Sequence, residues 1–271
     1  MKIGWIGMGN MGSAMLAAAA AKMDRNELCF YEPEPERAAA VSAANGVRAC
    51  DSAAEVSEQA KLLVLAIKPQ HYEAAALALR PFLQEHHIVL SIAPGHSLAV
   101  VSELLGGHRR VVRAMPNTPA LIGQGMTGMA YESEVFSVAE EQQILEFLET
   151  FSEVEVVKEE QLAAVTCISG SSPAYVDLFI ETLADVGVRY GLSRRQACHF
   201  AAKAVAGAAE MVLQTGEHPA VLKDKVCSPG GTTIAAVEAL EAGGFRHSIW
   251  EAGRACHAKI IEMQQETDDN G

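Results

Sequence analysis

The 271-residue sequence is short of basic side chains: 21 Lys and Arg face 34 Asp and Glu, a formal net charge of −13. A phosphate backbone or an anionic membrane surface would be repelled over most of such a surface, so nucleic-acid and membrane partners are not expected. Unbroken apolar runs stay below the roughly 18 residues of a membrane span. The N-terminus enters a strand-like segment directly, without the apolar stretch and cleavage site of a secretory signal. The 6 cysteines (Cys29, Cys50, Cys167, Cys198, Cys227 and Cys256) form no C-x-x-C pair and have no histidine at ligand spacing. Neither a zinc site nor a redox pair is therefore indicated, no metal is expected, and six buried thiols in a reducing cytosol is the expectation. With 49% apolar and 20% charged residues, and Gly and Pro near average, the composition excludes disorder and low complexity. A globular cytoplasmic protein is expected.

The length exceeds the usual single core of about 100 to 200 residues, which points to two cores or one large α/β unit. In the first half, strand-length apolar runs alternate with helical stretches. Strands are expected over Lys2–Gly7, Leu28–Glu32, Lys61–Ile67, Ile88–Ala93 and Arg109–Met115, with helices over Ser13–Lys22 and Pro35–Ala44. Buried runs of this kind form a mostly parallel sheet covered on both faces, the doubly wound Rossmann-type plan. The expected dinucleotide-binding domain is 1–158.

From Glu159 the strand-like runs stop, and residues 159–271 read as an all-helical domain broken at Gly191–Ser193, Gly216–Pro219, Ser228–Gly231 and Gly243–Gly244. Asp177, Glu181 and Asp185 form an acidic stripe, expected to be a solvated face. The alanine-rich segment Arg194–Leu213 suits the middle of a helical cluster, because small side chains let helix axes approach closely. Such helices make a thin core for one domain, so pairing with a second copy, at least a dimer, is expected. The final residues, Glu266–Gly271, read as a frayed acidic tail.

The strongest local signal is Gly7-Met8-Gly9-Asn10-Met11-Gly12, a G-x-G-x-x-G turn directly after a strand and directly before a helix. Gly7 permits the tight turn, Gly9 lets backbone N–H groups approach a pyrophosphate, and Gly12 lets the helix pack on the sheet. Glu32 ends the second strand, where a carboxylate accepts hydrogen bonds from an adenosine ribose and repels a 2′-phosphate. Arg37, one helical turn on, could still receive that phosphate, which leaves NADPH and NADH both open. Ala66-Ile67-Lys68-Pro69 closes a buried strand at its carboxyl end, the edge where open α/β sheets bind ligands. Met115-Pro116-Asn117-Thr118-Pro119 closes a later one, with the Asn117 amide and Thr118 hydroxyl expected to face the same crevice. His86 and His87 are expected to be an exposed loop pair.

Ser228-Pro229-Gly230-Gly231-Thr232-Thr233 precedes an apolar helical run. A diglycine opening a helix exposes unpaired backbone N–H groups, and three nearby hydroxyls make the segment suited to a small carboxylate. No carboxylate, histidine or cysteine dyad stands nearby, so the chemistry should not need a strong side-chain base or nucleophile.

Taken together, GMGNMG, AIKPQ at Ala66–Gln70, RAMPNTPAL at Arg113–Leu121, SGSSPAYV at Ser169–Val176 and CSPGGTTI at Cys227–Ile234 resemble pyrroline-5-carboxylate reductase over essentially the whole chain. The resemblance implies an NAD(P)H-dependent reduction of 1-pyrroline-5-carboxylate to L-proline by a homo-oligomer whose helical domain interlocks between subunits and completes the active site. It implies that Ile6, Gly7, Gly9, Asn10, Met11, Gly12, Ala66, Ile67, Lys68, Pro69, Ile92, Ala93 and Pro94 line the cofactor, with Asn117 near the nicotinamide. Ser228, Gly230, Gly231 and Thr232 would hold the substrate carboxylate, and Thr233 would stand by the ring nitrogen as proton donor. Family members using NADPH usually carry small hydroxyl or basic residues where this chain has Glu32 and Glu34. Two other readings share parts of the pattern. A 3-hydroxyacid dehydrogenase-like enzyme would need a lysine in the first long helix of the second domain, and 169–190 has none. A dinucleotide-sensing regulatory protein would use Ser228–Thr233 only as a helix cap.

Overall fold

The computed structural model describes the backbone of residues 1–268; the side chains of Pro69 and of residues from 266 onward, and residues 269–271 altogether, lie outside the described residues. The chain divides into two compact units: Met1–Ser171 together with the stretch beginning at Cys256, and Ser172–Ala255.

The first unit is built on eight strands: β1 (Ile3–Ile6), β2 (Leu28–Tyr31), β3 (Arg48–Ala49), β4 (Leu62–Leu65), β5 (Ile88–Ser91), β6 (Val111–Met115), β7 (Gly125–Tyr131) and β8 (Ser152–Val156). Their order across the sheet is β3-β2-β1-β4-β5-β6-β7-β8, parallel throughout except that β7 runs against β6. The helices of this unit are α1 (Asn10–Lys22), α2 (Pro35–Asn45), α3 (Ala53–Gln59), α4 (Pro69–Leu79), α5 (Leu98–Leu104), α6 (Val138–Leu148) and the single turn α7 (Leu162–Val165).

Both sheet faces are covered, as the unbroken apolar runs of β1, β4 and β5 require. Leu62 and Val64 pack with Trp5, Met15 and Phe147 on one face, while Leu63 and Leu65 pack with Val56, Tyr72 and Val101 on the other. Each such side chain withdrawn from water contributes about 1.5–3 kcal/mol. Trp5 meets Phe147 edge to face, with centroids 5.5 Å apart.

Three strands escaped the sequence reading for physical reasons. β3 is only two residues long. The first five residues of β7, Gly-Met-Thr-Gly-Met, have little β-branching. β8 alternates Val with Glu at an exposed edge. Helix α1 begins three residues earlier than expected, so Asn10–Gly12 form its first turn.

Two other expectations need correction. His87 is 1% exposed, with Nε2 2.9 Å from the Ser57 carbonyl and Nδ1 accepting from the Gln84 N–H, so only His86 is exposed as expected. Of the six cysteines, all free thiols, only Cys29 and Cys50 are buried, and Cys198 is exposed.

The second unit holds α8 (Ser172–Arg189), α9 (Arg194–Thr215), α10 (Pro219–Val226), α11 (Thr232–Ala242) and the beginning of α12 (Phe245–Asp268), whose later turns belong to the first unit. A π-helical turn, Thr166–Gly170, leads into α8. Helix α9 is capped by the Ser193–Gln196 box at its start and by left-handed Gly216 at its end. Asp177, Glu181 and Asp185 are exposed, and Asp185 pairs with Arg194 at 2.6 Å.

Helix α9 is not enclosed within the single chain: only Ala197 and Ala201 are buried along it. The continuous helical stretch Glu159–Arg189 also contains a window long and apolar enough by composition to cross a membrane, none of it buried. No uninterrupted apolar run was visible there because Ser, Thr and Gly punctuate it.

Candidate active site

The parallel register fixes where the predicted residues meet. Ile6 pairs with Tyr31 on one side and with Leu65 on the other, Leu65 pairs with Ser91, and Ser91 pairs with Arg113. The segments following β1, β2, β4, β5 and β6 therefore emerge along one sheet edge. These are Gly7–Gly12, Glu32, Ala66–Lys68, Ile92–Pro94 and Asn117. Strand order reverses between β1 and β4, and a crevice at such a reversal is where doubly wound sheets bind ligands.

The glycine turn has the geometry its spacing implied. Gly7 has φ +92°, and a Cβ there would stand 2.8 Å from the Ala66 carbonyl oxygen. At Gly12 a Cβ would come within 2.6 Å of the Gly7 carbonyl oxygen and 2.9 Å of the Ala66 Cβ, so β1, α1 and the end of β4 are pressed together through two missing side chains. At Gly9 the situation is the reverse: a Cβ would meet nothing within 4 Å. Gly9 is the N-cap of α1, with no side-chain cap and no acidic residue in the first turn. The start of the helix is thus open space bordered by backbone N–H groups and positive potential, a fit for a dinucleotide pyrophosphate.

Around this turn the remaining edge residues have distinct surroundings. Ala66 is buried and Lys68, the N-cap residue of α4, is exposed; the Pro69 side chain lies outside the described residues. Ala93 is buried, and its N–H donates to Ser91 Oγ at 3.4 Å, while Tyr72 Oη lies 2.7 Å from the same hydroxyl. Burial pushes the Tyr72 phenol up, well above its usual range, so it stays a neutral donor.

Asn117 differs from expectation. It is 8% exposed, and its amide is turned into the protein: Oδ1 accepts from the Met126 N–H at 2.9 Å, and Nδ2 donates to both the carbonyl and the hydroxyl oxygen of Ser169 at 3.2 Å. Thr118 is exposed. Asn117 therefore ties the end of β6 to the start of β7 and to the π-helical turn. In the sequence Ser169 is marked only by its place at the head of the SGSSPAYV motif. Arg113, buried in β6, donates to Glu159 Oε1 at 2.6 Å, and the same oxygen accepts from the Leu98 N–H at 2.6 Å. This ion pair fixes the first turn of α5 behind the edge.

In the helical unit, Ser228–Gly231 form the turn between α10 and α11. The Gly231 N–H donates to the Ser228 carbonyl at 3.0 Å, and Gly230 has φ +67° with open space where its Cβ would be. A Cβ on Gly231 would collide with Ser228 Oγ. Gly231 is the N-cap of α11 and supplies no side-chain cap. By contrast, α3, α5, α6 and α9 begin on Ser52, Ser97, Ser137 and Ser193, whose hydroxyls accept from their own first turns. Thr232 is exposed and Thr233 half-buried in the uncapped first turn of α11.

Comparison with known proteins agrees with this geometry. Residues 159–263 match the family model described as pyrroline-5-carboxylate reductase dimerisation, and residues 2–95 match that described as NADP oxidoreductase coenzyme F420-dependent. The chain is 44% identical to the pyrroline-5-carboxylate reductase of Escherichia coli (strain K12) over 97% of its own length and 98% of the relative's. It is 40% identical to that of Synechocystis, again over 97% and 98%. Among solved structures, the Plasmodium falciparum pyrroline carboxylate reductase with NADP bound superposes with a TM-score of 0.88 at 29% identity, covering 97% of this chain and 98% of the other. A chain whose sheet edge and helical unit both match over nearly their whole length is a member of the pyrroline-5-carboxylate reductase family.

Proposed function

We propose that this chain reduces 1-pyrroline-5-carboxylate to L-proline as a soluble cytoplasmic homo-oligomer, at least a dimer. In this reading 1–158 act as the dinucleotide-binding domain and 159–271 as the helical substrate-binding and dimerisation domain. The observation that carries the reading is the pair of helices α1 and α11. Both begin on glycine, and neither has a side-chain cap to occupy its first N–H groups. One start is suited to a pyrophosphate and the other to a small carboxylate.

Reduced nicotinamide supplies the hydride that goes to C5 of the cyclic imine. Ile6, Gly7, Gly9, Asn10, Met11 and Gly12 bind the pyrophosphate end, and Ala66–Pro69 and Ile92–Pro94 border the cofactor. Asn117 acts through Met126 and Ser169, holding the β6 exit against the π-helical turn. Ser228, Gly230, Gly231 and Thr232 border the substrate carboxylate, which the Gly230 and Thr232 N–H groups and the Ser228 and Thr232 hydroxyls hold while the Gly231 N–H stays on the Ser228 carbonyl. Thr233, one residue into α11, is placed in the role of hydrogen-bonding the ring nitrogen as it becomes a secondary amine. A threonine hydroxyl is a weak acid, but a protonated imine needs only orientation and a proton relay.

The helical unit supports assembly. Among its described residues only Ala184, Ala197 and Ala201 are buried, while Leu178, Leu213, Tyr190 and Trp250 are 62–79% exposed. A unit with that surface needs a second copy to cover it. The copy that covers it is the one whose cofactor edge α11 completes. Loss of NADPH or NADH absorbance on addition of 1-pyrroline-5-carboxylate, against 3-hydroxy acids assayed in reverse, tests the reading. Oxidation only with the imine is expected; a folded protein inactive with the imine under either coenzyme overturns it.

A further inference from the structure

Glu32 leaves β2 beside the glycine turn, and its carboxylate is already organised by the backbone. Oε2 accepts from the Met8 N–H inside the turn at 2.8 Å, and Oε1 accepts from the Glu34 N–H at 3.2 Å. A carboxylate pinned at both oxygens cannot swing away from whatever occupies the adenosine end of the site. Glu34 and Glu36 follow within four residues, both exposed, so three carboxylates surround the β2 exit. Arg37 could have received a phosphate on sequence grounds, but its Nη2 is 3.3 Å from Glu34 Oε2. On the neighbouring strand β3, Arg48 pairs with Cys29, short of the edge where Glu32 emerges, and its guanidinium is bonded to Glu55 and Gln59.

We infer that Glu32 makes this enzyme select NADH over NADPH: the fixed carboxylate accepts the free ribose hydroxyls of the former and repels the 2′-phosphate of the latter. The selection follows from charge. A 2′-phosphate brought to the end of β2 meets a fixed carboxylate and two neighbours, with the local arginines engaged elsewhere, whereas a ribose hydroxyl donates to the remaining lone pairs of Glu32. This inference rests on the reading of 7–12 as the cofactor turn. It separates this chain from the Plasmodium falciparum relative, whose structure holds NADP.

The test is binding of two coenzyme fragments by calorimetry, adenosine 5′-monophosphate and adenosine 2′,5′-bisphosphate, alongside kcat/KM for NADH and NADPH with 1-pyrroline-5-carboxylate. Wild type should bind the monophosphate at least about tenfold more tightly, as juxtaposed like charges require, and should favour NADH by a similar factor. Glu32→Ser should erase or reverse both ratios. Glu34→Gln, which releases Arg37 and leaves the Met8 contact intact, should shift both in the same direction by a smaller factor, and it serves if Glu32→Ser folds poorly. Tighter binding of the bisphosphate by wild type overturns the inference, as do ratios unmoved in folded variants. Fragment discrimination without turnover of the imine would instead defeat the proposed reaction and leave the coenzyme assignment standing.

Discussion

The two units of this chain treat their apolar side chains in opposite ways. In the first, Trp5, Phe30, Phe147, Phe151 and the Leu62–Leu65 run are almost completely withdrawn from water. In the second, three alanines are the only buried residues among those described, and tyrosine, tryptophan, phenylalanine and leucine side chains stand open. The first unit encloses its apolar core on both faces of the sheet. The other has amphipathic helices whose apolar faces require a partner. The same contrast runs through the segments proposed to bind ligands: α1 is packed against the end of β4 through Gly7 and Gly12, whereas Gly230, in a left-handed turn, has no neighbour within reach of a Cβ.

The largest effect that would sharpen this contrast is expected in the helical unit. Thr233→Ala should lower kcat by about a hundredfold, the usual range for a positioned proton donor, with little change in coenzyme KM. An unchanged kcat would remove Thr233 from the reaction. Next comes the exposed face of α8: Leu178→Glu combined with Val186→Glu should convert the oligomer to monomer in sedimentation and reduce activity at least about tenfold. Full activity in a monomer would show that the helical unit works without a second copy. In the first unit, Gly12→Val forces a side chain against Gly7 and Ala66. It should cost about 1–3 kcal/mol in denaturant unfolding and raise coenzyme KM, while leaving subunit association intact. A normal coenzyme KM would separate that packing from the binding edge.

The smallest effect is that of pH on the first unit. Burial holds the imidazoles of His87, His96 and His108 below their usual value of 6.5. Unfolding lets each of them take up a proton more readily, so their contribution to stability is present above pH 6.5 and is lost as pH falls through the folded-state values. The midpoint of thermal unfolding should therefore decline on going from pH 7.5 to 5.5, and His87→Asn should flatten part of that slope. A slope unaltered by the substitution would assign it to the carboxylates instead.

The sequence was informative where chemistry is local. A strand running into G-x-G-x-x-G and then a helix needs only adjacent residues, and the positive φ of Gly7 and the missing Cβ of Gly12 follow from that pattern. The diglycine before α11 was legible for the same reason. What could not be read depends on distant partners. Asn117 looked like a side chain offered to the crevice, yet Met126 and Ser169, the latter 52 residues away, take up its amide. The bond from Met8 to Glu32 spans 24 residues and is set by the β1–β2 register. The burial of His87 depends on the Ser57 carbonyl, 30 residues earlier, which no local pattern shows. Strand β7 carries glycines where strand propensity asks for β-branched residues. Its place is decided by pairing with β6 and β8.

The central proposal is that the start of α11 in one copy holds the substrate carboxylate for the coenzyme edge of another. Its most direct test is complementation between two inactive variants, Gly9→Asp in the coenzyme turn and Thr233→Ala in α11, unfolded together and refolded as a mixture. In a mixed dimer one site then combines an intact turn with an intact α11, so an equal mixture should recover about a quarter of wild-type activity. A mixture that associates normally, as verified with differently tagged chains, yet stays as inactive as its components would place both elements of each site in the same copy and contradict the account.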